Sequence, residues 1–167
     1  MKQKMRTIAL YFFTLPWDLT VAWPAVLLVR ALWGRNLRWE KSPTGLGVHV
    51  LACDLSEGTW PARTWYAKWG GTSLGHGIFY GASPGAAERV RAHEHVHVEQ
   101  FESSMFWSFV NGLWVGAVGH WWMGLLVWWL GYFGMAAGGW AVAWLRGEDF
   151  YRGSAHEEAA RAQTEDK

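Results

Sequence analysis

Between Ser103 and Leu145 the chain carries no Asp, Glu, Lys or Arg. That run is about twice the ~20 residues that one helical crossing of a bilayer needs. Lipid offers backbone groups no hydrogen-bond partners, so such a run must be helical, and its length calls for two passes. The polar interruption at Gly119-His120 is the place for a turn, which predicts a transmembrane hairpin with arms at 104–118 and 122–145. The run holds eight of the 15 Trp, a residue that favours membrane interfaces. The mean hydropathy of −0.04 counts Trp as mildly polar and understates this pattern. Gly112-x-x-x-Gly116 and Gly134-x-x-x-Gly138 have the spacing that lets membrane helices approach closely; glycine is also common in such helices without a partner.

The first residues, MKQKMR, lead into a second apolar run from Thr7 to about Trp33. It has the length of a membrane span and no small-residue cleavage site, so an uncleaved anchor is expected. Pro16, Asp18 and Pro24 either kink that span or make it re-entrant. An acid in an apolar run is a functional candidate by default, but Asp18 has no evident partner in the sequence, and a segment end near Pro16 is the simpler account. Residues 34–82 contain no run long enough to cross. GLGVHVLACDL reads as one extended segment, and RTWYAKWGGTSLGHGIFYG as two short strands around Gly70-Gly71. Ser83-Pro84 is a helix start, followed by helical composition from Ala86 to Ser104. The tail is expected to be helical from Ala155 to about Ala162. The net charge of +1 argues against a nucleic-acid partner held by a basic field. The single Cys53 excludes an intramolecular disulfide and any multi-cysteine zinc module.

His93-Glu94-His95-Val96-His97 fits the His-Glu-x-x-His pattern. Residues i and i+4 share a helix face, so two imidazoles can converge on one tetrahedral Zn2+. Glu94 then sits beside the ion as the base for a zinc-bound water, whose pKa the metal lowers to about 7. The flanking Glu88, Arg89, Arg91, Glu99 and Glu102 suggest a wet, accessible helix, with His95 pointing away from the metal face into solvent. A catalytic zinc needs a third protein ligand. Glu157, which opens Glu157-x-x-Ala160 on the tail helix, is the choice, with Glu158 or His156 as alternatives. The strand at 72–80 can pair with an extended peptide, and His76 or Tyr151 can stabilise an oxyanion or contact substrate.

RAHEHVHVEQFE, followed much later by YRGSAHEEAARA, resembles the gluzincin metallopeptidases, whose third ligand is a Glu on a downstream helix. Within that group the chain is similar to membrane-bound zinc peptidases of the prenyl-protein-processing and heat-shock types. It is closer still to short bacterial membrane proteins with a Leu-Gly-His strand (Leu74 to Tyr80 here), the zinc helix and a Tyr-Arg tail motif (Tyr151 to Ala160). The resemblance implies zinc on His93, His97 and Glu157 with Glu94 as base, in a bacterial inner membrane. Two departures keep Glu158 open: Arg161 stands where the membrane peptidases have Asp, and Ser154-Ala155 where the short relatives have Asn-Pro.

The expected fold is an α+β membrane protein. Residues 1–33 form an anchor or re-entrant segment and 34–104 a minimal zincin-like unit of short strands and the zinc helix. Residues 105–145 form an inserted transmembrane hairpin, and 146–167 the tail with the third-ligand helix. If Glu157 shares a metal with His93 and His97, the chain between them crosses an even number of times, which a two-pass run satisfies. The heavier basic flank (Arg35, Arg38, Lys41, Arg146, Arg152) favours a cytoplasmic site and three crossings. The expected activity is hydrolysis of a membrane-associated polypeptide. The alternatives are a non-enzymatic metal-binding membrane protein and another zinc- or iron-dependent membrane hydrolase or hydroxylase, though a di-iron enzyme needs more ligands than the chain offers.

Overall fold

The N-terminal apolar run is one helical stretch with an extra residue wound into its middle. Helix α1 (Lys2–Trp17) passes through a π turn (Asp18–Ala22) into α2 (Trp23–Leu32). Pro24 has no N–H to return to the turn before it. Instead the N–H of Trp23 reaches back to Asp18 O, and the Thr20 hydroxyl donates to Pro16 O at 2.7 Å. A widened turn accommodates the prolines without ending the helix. The segment end expected near Pro16 is therefore not there.

The computed structural model describes residues 2–32, 36–41, 49–55, 70–81, 87–149 and 153–165. They fall into two units, Met1–Val98 and Glu99–Lys167. In the first, a four-stranded sheet of β1 (Asn36–Lys41), β2 (His49–Asp54), β3 (Gly71–Leu74) and β4 (Gly77–Tyr80) has the order β1-β2-β4-β3. The β1/β2 and β3/β4 pairs are antiparallel, and β2 runs parallel to β4. Both faces of the two central strands are covered. Alternation along each strand sends Leu51, Cys53 and Phe79 toward Val26 of α2, and Val50, Ala52, Ile78 and Tyr80 toward Val98. Full burial of each large apolar side chain is worth about 1.5–3 kcal/mol, so these two clusters hold the unit together. The tight turn is Gly75-His76, with Gly75 at φ 61°, rather than Gly70-Gly71. Gly71 already opens β3, and the strand expected before Gly70 lies outside the described residues.

Helix α3 (Ala87–Val118) is 32 residues long and unbroken, so the helix that carries His93 and His97 and the first arm of the hairpin are one element. In the second unit it turns at Gly119-His120 into α4 (Trp121–Leu145). The arms meet through glycine: a Cβ on Gly112 would lie 2.5 Å from Gly124 O, and one on Gly124 would meet Gly112 O and the Gly116 backbone. Phe109 packs edge-on to Trp128, and Phe101 to Tyr132. Gly134 and Gly138 face open space, so only the first small-residue pair joins the arms. Helix α5 (Ala155–Glu165) closes the chain. The protein is thus mixed α+β, and two helical segments, Ile8–Leu32 and Trp121–Leu145, are long and apolar enough to cross a membrane.

Candidate metal centre

No proline or glycine interrupts Ala87 to Asn111, and 3.6-residue periodicity stacks His93 above His97. Their Nε2 atoms lie 3.1 Å apart, with the rings edge-on at 87°. Two imidazole nitrogens on one tetrahedral ion, each at ~2.05 Å, would stand about 3.3 Å apart. The Glu157 carboxylate completes the group, and one ligand atom from each of the three residues lies within 4.8 Å of the other two. Glu157 is buried, whereas Glu158 on the same turn is exposed, so only Glu157 joins the group.

Contacts inside the second unit hold the start of α5. The Gln100 side chain on α3 donates to the His156 carbonyl at 2.9 Å. The missing side chain of Gly139 leaves room for the His156 ring, since a Cβ there would lie 2.9 Å from Nδ1. Ser154, fully buried, starts α5, and its carbonyl accepts from the Glu158 N–H. Gln100 is three residues beyond His97 on α3. His156 is committed to this joint and is not part of the ligand group.

Glu94 is 4% exposed and lies against the backbone of β3, where a Cβ on Gly71 would come 2.7 Å from its Oε1 and 2.8 Å from its Cγ. Glycine is required there by the closeness of strand and carboxylate. The helix is not wet at this level. Glu94 to Val98 are all buried and His93 is half-buried; only Glu88 and Arg89, a turn earlier, are exposed. A helix flanked by charges in sequence reads as solvated, but here the sheet covers it.

His95, expected in solvent, is buried. Two residues after His93 it points roughly to the opposite side of the helix, which here is the sheet. Its Nε2 lies 3.4 Å from Glu40 Oε2. Glu40, in β1, also accepts from Tyr80 OH at 3.0 Å and from Arg38 Nε, and pairs with Arg91 at 3.4 Å. Both guanidiniums lie over the Tyr80 ring. Burial alone would raise the Glu40 carboxyl, but the hydrogen bonds from His95, Arg38 and Tyr80 outweigh it and hold the group down at about 2. Burial and the neighbouring Glu40 charge push the Tyr80 phenol far above its ordinary value. Burial likewise raises the Cys53 thiol, which sits in the core of the sheet and takes no part in the centre.

His76 is fully buried at the β3–β4 turn. Its Nδ1 lies 2.6 Å from Asp18 Oδ2 and its backbone N–H donates to Asp18 Oδ1 at 3.2 Å. Asp18, for which the sequence offered no partner, has one. Tyr151 lies outside the described residues, as do Ser83-Pro84, Arg35 and Arg152. Sequence reasoning missed Glu40, whose one local clue was the orientation of His95. Comparison with protein-family models, curated proteins and solved structures returned no match.

Proposed function

We propose that the chain is a membrane-bound metallopeptidase with a minimal zincin-like core, of gluzincin type, that binds zinc on His93, His97 and Glu157. The observation that carries this reading is the convergence of those three ligand atoms within 4.8 Å, with the buried Glu94 on the same helix turn. Two imidazoles and one carboxylate suit zinc with a position left for chemistry. When bound, the ion supplies Lewis acidity, polarising a peptide carbonyl and making water easier to deprotonate. Glu94 takes the proton from the attacking water and returns it to the leaving amine. Its low exposure and its contact with Gly71 hold it in one orientation and keep bulk water away. Among the described residues β3 is an edge strand beside Glu94, so its free backbone edge can align an extended polypeptide without reading its side chains.

A second reading draws on the burial of Glu94, His97 and Glu157. Structural metal sites are closed, and a non-enzymatic membrane protein could use this one to tie α5 to α3. The half-buried His93 leaves a side for substrate and favours the enzyme. The test is Glu94→Gln in the full chain, with metal content and peptide hydrolysis measured together. Retained metal with hydrolysis lowered by about 10²–10⁴-fold, the worth of a general base, supports the peptidase. Unchanged hydrolysis, or none in the wild type with metal bound, selects the structural site.

A further inference from the structure

Glu94 and His95 are consecutive on α3, about 100° apart around its axis, and they meet opposite edges of the sheet. Glu94 and Val90 lie against Gly71 of β3. His95 lies 3.4 Å from Glu40 of β1, and Arg91, one turn earlier, pairs with the same carboxylate at 3.4 Å. The order β1-β2-β4-β3 separates those edges by three strand spacings, ~14 Å. Between them the contact is apolar, with Val98 against Val50, Ala52, Ile78 and Tyr80.

Apolar contact is non-directional, so a valine seam alone would let the helix roll about its axis. The two flanking contacts oppose such a roll. Lifting His95 from Glu40 drives Glu94 and Val90 into the Gly71 backbone. The opposite roll presses the buried His95 onto Glu40, which Tyr80, Arg38 and Arg91 hold from other directions. The Glu40 side chain is 12% exposed, and displacing it breaks several charge-assisted bonds. Glu94 stands ~6 Å from the helix axis, so a roll of ~10° would shift it by about 1 Å.

We infer that Glu40 is a positioning residue for the hydrolysis: through His95 and Arg91 it fixes the roll of α3, and so the distance from Glu94 to the peptide-aligning edge of β3. Glu94, His93 and His97 ride on one helix. A roll therefore keeps their mutual spacing and changes their place beside β3. The role in hydrolysis rests on the peptidase reading; the lock on the helix does not.

Two measurements on the full chain in detergent test this. The first is a stability cycle between Glu40→Ala and Gly71→Ala, read as denaturant midpoints. The two residues stand beyond the ~7–10 Å within which substitutions ordinarily couple. Glu40→Ala leaves room for His95 to turn toward β1, which withdraws Glu94 and Val90 from Gly71. Gly71→Ala should therefore lower the midpoint in the wild type and clearly less in the Glu40→Ala background. The second measurement is kcat per bound zinc on a quenched fluorogenic peptide chosen from a library. Glu40→Ala should lower it by about 100-fold with KM unchanged. Glu40→Gln, which keeps the volume and an acceptor oxygen, should stay within about tenfold of the wild type. His95→Ala releases the lock from the helix side; it should reproduce both effects of Glu40→Ala and replaces that variant if it does not fold. A residue that merely stabilises the fold would change the zinc-loaded fraction and leave the rate per zinc alone. Additive midpoint losses, or an unchanged rate per zinc in Glu40→Ala, overturn the inference and leave the peptidase standing. Coupled midpoints with no cleavage of the library by the zinc-loaded wild type retain the lock and defeat the peptidase.

Discussion

Asp18 and His76, 58 positions apart, form a fully buried carboxylate–imidazole pair at 2.6 Å. Removing one partner of such a pair strands the other in a fully buried site, which typically costs about 3–5 kcal/mol. Asp18→Ala and His76→Leu should each destabilise by that order in denaturant unfolding in detergent. The double substitution should cost clearly less than the sum, because neither stranded polar group remains. Additive losses would show that the pair holds nothing together.

Glu157 and Glu158 are adjacent but differ in burial, and only Glu157 reaches the imidazoles. Loss of a residue that merely supports a metal ligand costs about 10–100-fold in affinity, and loss of a ligand costs more. Glu157→Ala should therefore weaken zinc binding by over ~100-fold in competition with a chelator, while Glu158→Ala leaves it unchanged. Gln100→Ala, which frees the His156 carbonyl, should fall between them. Equal effects of the two glutamates would remove Glu157 from the centre.

The elements legible in the sequence were those written locally. The absence of charge from Ser103 to Leu145 and the single polar step at Gly119-His120 located the hairpin, and i, i+4 spacing located the imidazoles. The switch from charged to uncharged residues at Glu102/Ser103 suggested a boundary, yet α3 runs through it. Helical hydrogen bonding is indifferent to side-chain polarity and stops only where a breaker or a competing cap intervenes. The partners of Asp18 and His95 were illegible because each lies 55 or more positions away on another element, and no spacing rule connects them.

Glu40 predicts a pH dependence of stability. Its carboxyl is held near 2 in the folded chain, against 4.5 ordinarily. A depressed folded-state value means that the unfolded chain binds the proton first, so stability falls as pH drops. The contribution is complete above about pH 4.5 and disappears on the way to about pH 2. Denaturant unfolding from pH 5 to 2 should show a steeper loss for the wild type than for Glu40→Gln, whose curve lacks this component. Parallel curves would mean that the Arg38, Tyr80 and His95 contacts do not bind the charged form in solution.

Gly71 makes the sharpest prediction about the site, because its effect should separate metal binding from catalysis. A Cβ there would meet Glu94 Oε1, Glu94 Cγ and Val90 Cγ1 at 2.7–2.8 Å, closer than real methyl groups stand. The carboxylate is the movable partner, since Val90 is packed in the core cluster with Val98. Gly71→Ala should therefore displace Glu94 by about 1 Å and leave His93 and His97 in place. A misplacement of that size costs about 100-fold in rate, so hydrolysis should fall by that order with zinc content unchanged. Thr72→Ala, at the exposed next position, should be near neutral in both measurements. If Gly71→Ala lowers zinc content and hydrolysis together, the strand supports the whole helix and the separate positioning of Glu94 is lost as an explanation.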